Sequence, residues 1–287
     1  MSSSPRHTYS PIIALLGAVV SVQGGAAIAK GLFPALGAAA TAGVRIGLGA
    51  VMVLAVFRPP LLRLTRAQWQ AAGAYGVTLG AMNLLFYLAL ARVPLGLAVT
   101  LEFIGPLSVA VAHSRRALDL LWVAMAAAGI ALIAPWSAHG VNPVGALCAL
   151  LAGACWAAYI IIGGRLSKLL SGGAAVSSGM LVATITIAPF AIASGGLARL
   201  TWPLLGAGAL VALLSSALPY TFEMHALRNM SSKTFSILMS LEPAVAALTG
   251  LVFLGERLGV VQWTSVALVI AASAGAAMST NEPGRLA

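Results

Sequence analysis

The sequence predicts an all-α integral membrane protein: ten transmembrane helices in two inverted-topology five-helix repeats. Three observations predict it. Of 287 residues, 60% are hydrophobic and only 8% are charged, against about 25% charged in an ordinary soluble domain. So few charges cannot clothe a water-facing surface. Apolar runs of roughly 20 residues, the length of a membrane-crossing helix and not of a barrel strand, recur along the chain with short gaps between them. The basic residues collect in alternate gaps, where a membrane protein keeps them. The net charge of +10 therefore does not point to nucleic acid, since the cations form no aromatic-interleaved patch.

In chain order, the first run covers 10–29. It is too long for a signal-peptide core and is followed by "KGLFP", so it is expected to remain as a helix. The second, 36–57, carries Arg45 in "TAGVRIGLGA", where Gly43 and Gly47 form a GxxxG that permits close helix approach. The third, 68–90, places Asn83 and Tyr87 one helical turn apart. The fourth, 94–113, follows within a few residues and must form an antiparallel hairpin with the third. The fifth covers 118–136 and the sixth 143–163. In the sixth, Cys148 and Cys155 lie about 10 Å apart along one axis, too far to bridge, and Trp156 and Tyr159 lie nearly one turn apart. The seventh covers 174–194. The eighth, 203–223, and the ninth, 233–254, form a second hairpin, and the tenth covers 259–279.

Orientation follows from the cations. With the N-terminus inside, the cytoplasmic gaps and ends hold eleven: Arg6, Arg58, Arg63, Arg66, Arg115, Arg116, Arg165, Lys168, Arg228, Lys233 and Arg285. The outer gaps hold four: Lys30, Arg92, Arg199 and Arg257. This bias places both termini in the cytoplasm. Trp69, Trp136 and Trp202 fall at segment ends, where an amphipathic ring favours the interface; Trp156 lies mid-segment.

The two halves resemble each other. With Pro106 placed over Pro243, "LALARVPLGLAVTLEFIGPLSVAVA" lies over "HALRNMSSKTFSILMSLEPAVAALT". Allowing a gap of four, Trp122 then falls over Trp263. Residues 1–139 and 140–287 read as one five-helix repeat each. Five is odd, so the second repeat begins from the opposite side of the membrane, an architecture associated with secondary transporters. Two similar, oppositely oriented halves give inward-open and outward-open states of similar energy.

Acids inside apolar segments are rare enough to take singly. Asp119, a turn after Arg115–Arg116, is expected to pair with those arginines; Glu256, beside Arg257 in a short outer turn, is expected to form an ion pair or a cap; and Glu282 lies in a polar tail. Glu102 is the deepest. An ionised group at the centre of a spanning helix costs about 3 kcal/mol on insertion scales. Pro106 has no N–H to donate and its ring displaces the carbonyl of residue i−4, which is that of Glu102. A carboxylate and a freed carbonyl then share one level: a polar spot facing a cavity, or one paired to Arg45 or Lys30. Glu242 immediately precedes Pro243, which frees the carbonyl of Met239. It either bends the helix and pairs across the bundle, or takes part in coupling directly. Glu223 closes the eighth segment, with local pairing and function equally open.

The ten-segment pattern and the stretch "SLEPAVAALTGLVFLGE" resemble the EamA-type transporters of the drug/metabolite transporter superfamily. "SVQGGAAIAKGLFPALGA", "LEFIGPL", "GACWAAYI" and "SSALPY" make the chain similar to that family's bacterial exporters of small amino acids of the threonine and homoserine type. The resemblance runs from about residue 11 to residue 279. It implies an inner-membrane efflux permease, an antiporter coupled to protons, embedded in lipid. A zwitterionic amino acid needs an anion for its ammonium and donors for its carboxylate. Glu102 supplies the first; Arg45, Lys30 or Gln23, beside Gly24–Gly25, supplies the second. Asn83, Tyr87, Trp156 and Tyr159 line the cavity on this reading, and Glu242 stays a candidate for the proton.

Other classes find less support. His7, His113, His139 and His225 do not cluster with acids or cysteines at metal spacing, so no metal or other cofactor is expected. The P-loop lysine signature of ATP-driven pumps does not occur. An intramembrane protease would need a reactive serine, an aspartate pair or HExxH, none of which is evident. A drug or metabolite permease of the same superfamily remains the alternative, although nucleotide sugars would call for more cavity cations than Arg45 and Lys30.

Overall fold

The computed structural model describes residues 6–112, 117–133, 142–219 and 238–279, with residues 222, 226 and 235 besides. The expectations for Glu223, for the Arg115–Arg116 turn, for Trp136 and for the hairpin joining the eighth and ninth segments fall outside those residues.

All the described regular structure is helical, and each predicted apolar run carries a helix. The order is α1 (Arg6–Leu36), α2 (Ala38–Phe57), α3 (Arg66–Leu90), α4 (Leu95–Glu102), α5 (Ile104–Ala112), α6 (Ala117–Ile133), α7 (Pro143–Leu166), α8 (Gly172–Ala193), α9 (Trp202–Ala212), α10 (Glu242–Leu254) and α11 (Val260–Ser279). Helix α9 runs on into a π-helical turn over Leu213–Ala217. Among the described residues, five helices are long and apolar enough to cross a membrane: Pro11–Leu36 of α1, then α2, α3, α7 and α8.

Local chemistry sets several boundaries. Thr65 and Gln68 form a reciprocal capping box at the start of α3, each side chain bonding the other's backbone N–H. Asn142 caps α7, its Oδ1 accepting from the Gly145 N–H at 3.0 Å, with Pro143 opening the helix. Gly255 ends α10 at φ 66°, a backbone state a side chain would strain.

The helices interlock across the two halves of the chain. Helix α3 packs against α7 and α8, α2 against α8 and α9, and α1 against α9 and α10. Helix α4 packs against α10 and α7, and α6 against α11. Small residues allow the close crossings. Gly43 faces Ala191 of α8 so tightly that a Cβ at position 43 would stand 2.7 Å from the Ala191 Cβ, the close approach expected of the Gly43–Gly47 pair.

The fourth segment is not one helix. Helix α4 ends at Glu102, Phe103 forms a turn, and α5 starts at Ile104. Pro106 therefore sits in the first turn of α5, where a missing N–H leaves no bond unmade. The ninth segment breaks likewise: residues 240 and 241 form a turn and α10 begins at Glu242, with Pro243 in its first turn. Each of these prolines follows a break and opens the helix beyond it.

Candidate functional site

The break after Glu102 is held against α7 by backbone approach. A Cβ on Gly153 would lie 2.6 Å from the Glu102 carbonyl oxygen, and one on Gly105 would overlap the Gly153 carbonyl. Any side chain at either position would push the two helices apart. Phe103 then stacks edge-on to Trp156 of α7, ring centroids 5.6 Å apart, which places Trp156 beside the break.

The Glu102 side chain is buried, 7% exposed. Among the described residues no hydrogen-bond donor reaches its carboxylate, yet it lies within electrostatic reach of both Glu242 and Arg45. Glu242 is equally buried, and its Oε1 accepts from Gln23 Nε2 of α1 at 3.0 Å. Arg45 projects from α2. Its Nη1 donates to Asn83 Oδ1 at 2.8 Å and its Nη2 to the Ser215 carbonyl at 3.2 Å. The guanidinium carbon lies 5.5 Å from the centroid of the buried Tyr87 ring, a cation–π arrangement. Asn83 Nδ2 is anchored on the Leu79 carbonyl at 2.9 Å, which turns its oxygen toward Arg45. Among the described residues, Arg45 Nε and Gln23 Oε1 are buried with no hydrogen-bond partner. Leaving such groups unpaired costs about 1–3 kcal/mol each.

The two helix breaks give this group a polarity. Glu102 ends α4, where free carbonyls concentrate negative potential, and Glu242 begins α10, where free N–H groups concentrate positive potential. A carboxylate at a helix C-terminus is poorly placed on its own account and well placed for a ligand cation.

The EamA-like transporter family matches residues 143–278. Threonine/homoserine exporter RhtA of Escherichia coli K12 is 43% identical over 278 residues, 96% of this chain and 94% of the relative. Threonine/homoserine exporter RhtA of Salmonella typhimurium LT2 is 44% identical over 281 residues, 97% of this chain and 95% of the relative. The chain belongs to the EamA-like transporter family. A solved crystal structure 19% identical in sequence matches 93% of this chain and 96% of its own at a TM-score of 0.57, a likeness of fold alone.

Within this EamA-like transporter, Gln23, Arg45, Asn83, Tyr87, Glu102 and Glu242 converge, and Trp156 adjoins them through Phe103. Two candidates stand apart. Tyr159 Oη and Tyr75 Oη share a 2.6 Å hydrogen bond, and Tyr75 lies about 12 Å along α3 from Asn83. Lys30 donates to Glu256 Oε1 at 2.5 Å and to the Val93 carbonyl at 2.8 Å. Glu256 does form both an ion pair and a cap, but its ion-pair partner is Lys30, 226 positions away, instead of the neighbouring Arg257, and the N–H it caps is that of Leu95. A further participant had no individual signal in the sequence. Ser215 takes the Arg45 bond through its backbone, and only the presence of "SS" inside an apolar run hinted at a polar turn.

Proposed function

We propose that the protein exports small neutral amino acids of the threonine and homoserine type across the bacterial inner membrane, in exchange for protons and by alternating access. The observation that carries the reading is the buried group of one guanidinium and two carboxylates between two helix breaks. The substrate class comes from the names of its full-length relatives, RhtA of Escherichia coli and of Salmonella typhimurium. A zwitterion fits the polarity. Its ammonium meets the Glu102 carboxylate at the C-terminal end of α4, and its carboxylate meets Arg45 and the N-terminal end of α10, as in transporters that bind substrate at broken helices. Asn83, Tyr87 and Trp156 bound the space for a small side chain. The Glu102 carboxylate, buried at the helix break, is suited both to a substrate ammonium and to a proton, which makes the two compete.

Ten spans in two inverted repeats, 1–139 and 140–287, complete the reading. The packing supports it. Matching each helix with its counterpart in the other repeat, with α5 and α10 paired by Pro106 and Pro243, turns the α1–α10 contact into α7–α5, α2–α9 into α8–α3, and α1–α9 into α7–α3, and all of these occur. The pairs α2–α8 and α6–α11 map onto themselves. The eleven-to-four bias of the cations puts both termini in the cytoplasm. Reporter fusions at residue 140 should read periplasmic and at residue 170 cytoplasmic; the reverse pattern would remove the inverted repeat.

The function itself is tested in cells loaded with labelled threonine or homoserine. Cells producing the protein should release either amino acid several-fold faster than cells producing Arg45→Ala at equal membrane abundance. Equal release for both strains would end the proposal.

A further inference from the structure

Lys30, Glu256 and the turn between α3 and α4 form a three-way tie at one end of the bundle. Glu256 uses both carboxylate oxygens. Oε1 accepts from the Lys30 ammonium at 2.5 Å, and Oε2 accepts from the Leu95 N–H at 2.7 Å, capping α4. The same ammonium donates to the Val93 carbonyl. Glu256 is held in turn by its own N–H on the Gly250 carbonyl at 3.1 Å, and a Cβ on Gly250 would stand 2.6 Å from Oε2. The distribution of cations assigns this end to the outside of the membrane.

Each piece of chain in the tie also carries a residue of the buried site. On α1, Gln23, Ala27 and Lys30 share one face, spaced i, i+4 and i+7; Gln23 bonds Glu242 and Lys30 bonds Glu256. Helix α4 starts at Leu95 in the tie and ends at Glu102 in the site. Helix α10 starts at Glu242 in the site and runs out to the turn that bears Glu256. Three rods about 10–20 Å long thus connect the site to the tie. One of them, α10, lies in the second half of the chain and the other two in the first.

The ion pair is also accessible enough to break. The side chains of Lys30 and Glu256 remain 22% and 14% exposed. Ion pairs with access to water contribute little to stability, and here the added backbone bonds raise the hold without making it permanent. A permanent brace would be served better by apolar packing.

We infer that the Lys30–Glu256 pair is the outer gate of the transport path, closed in this structure, and that its release from the α3–α4 turn opens the site to the outside. This rests on the alternating-access reading above. When α1 and α10 move to hand over substrate at Gln23 and Glu242, the same two helices must carry Lys30 and Glu256 apart. Closure of the gate keeps outer water from the site while substrate loads from the cytoplasm.

The test reads accessibility without using substrate. In protein with Cys148→Ala and Cys155→Ala, Ala27→Cys places a thiol one turn inside the gate, at a position now 3% exposed. A membrane-impermeant maleimide added outside intact cells should label it slowly. Lys30→Met and Glu256→Gln should each raise the labelling rate about tenfold, the effect of shifting the closed–open balance by that factor. Unchanged rates in both variants would overturn the gate. A second arm uses Lys30→Cys with Glu256→Cys, joined by a reducible bis-methanethiosulfonate reagent. Cross-linking should stop threonine release and reductant should restore it. Continued release by cross-linked protein would show a static brace and likewise overturn the gate. A protein that labels as expected but never exports threonine would count against the proposed substrate and leave the gate standing.

Discussion

Arg45→Ala is expected to abolish amino-acid export while the protein still reaches the membrane at near-normal abundance. The native guanidinium bonds Asn83 Oδ1 and the Ser215 carbonyl and sits beside the Tyr87 ring. It is also, among the described residues, the cation within electrostatic reach of Glu102. Removing it leaves buried acceptors unpaired and sets two buried carboxylates against each other with their counter-charge gone. Breaking a buried ion group from one side costs about 3–5 kcal/mol, and about 2.7 kcal/mol already corresponds to 100-fold in binding. Export should therefore fall about 100-fold or more. Arg45→Lys should not restore it. A single ammonium cannot span two acceptors on different helices while resting on an aromatic face, as the planar fork does. The readout is release of labelled threonine per unit of membrane protein. Normal export by Arg45→Ala would make Arg45 a packing residue and remove it from the site.

Glu102→Gln separates binding from coupling. The amide keeps the shape of the carboxylate, so insertion and helix packing at Gly153 are expected to survive. What it lacks is an exchangeable proton and a negative charge. A carboxylate that is ionised to hold an ammonium, and protonated to release it, ties proton entry to substrate exit. The variant should lose export driven by a pH gradient, by about 100-fold if Glu102 is the obligatory proton site, the order commonly seen when a positioned acid–base group is removed. Exchange of labelled for unlabelled substrate, which needs no net proton movement, should decline far less. Full gradient-driven export by Glu102→Gln would move the proton to Glu242, the other buried carboxylate in the group.

The helices were legible because the bilayer imposes length and composition directly: each run of roughly 20 apolar residues corresponds to helix. Their ends were less so. The first helix extends to Leu36 although the apolar run was read to residue 29, because one cation does not stop backbone bonding and the chain turns only at Gly37, at φ 76°. The break at Glu102 was half legible. Pro106 announced a disturbance four residues upstream, but not that the helix would stop there and restart, which depends on Gly153 lying against the Glu102 carbonyl. Arg45, Glu102 and Gln23 stood out because polar groups are costly in an apolar segment. Their pairings did not, because contacts such as Gln23 with Glu242 or Lys30 with Glu256 join positions 219 and 226 apart, and nothing local records them. The π turn at Leu213–Ala217 has no composition of its own, so the acceptor it offers Arg45 came only from the structure.

The central claim is that substrate and proton compete for one buried site in an exporter. Its most direct measurement is labelled-threonine accumulation by inside-out membrane vesicles, with and without an interior-acid pH gradient. The gradient should drive accumulation well above the level without it, collapsing when a protonophore is added, and Glu102→Gln vesicles should show no such stimulation. Accumulation that ignores the gradient in the native protein, or that Glu102→Gln performs as well as the native protein, would contradict the account.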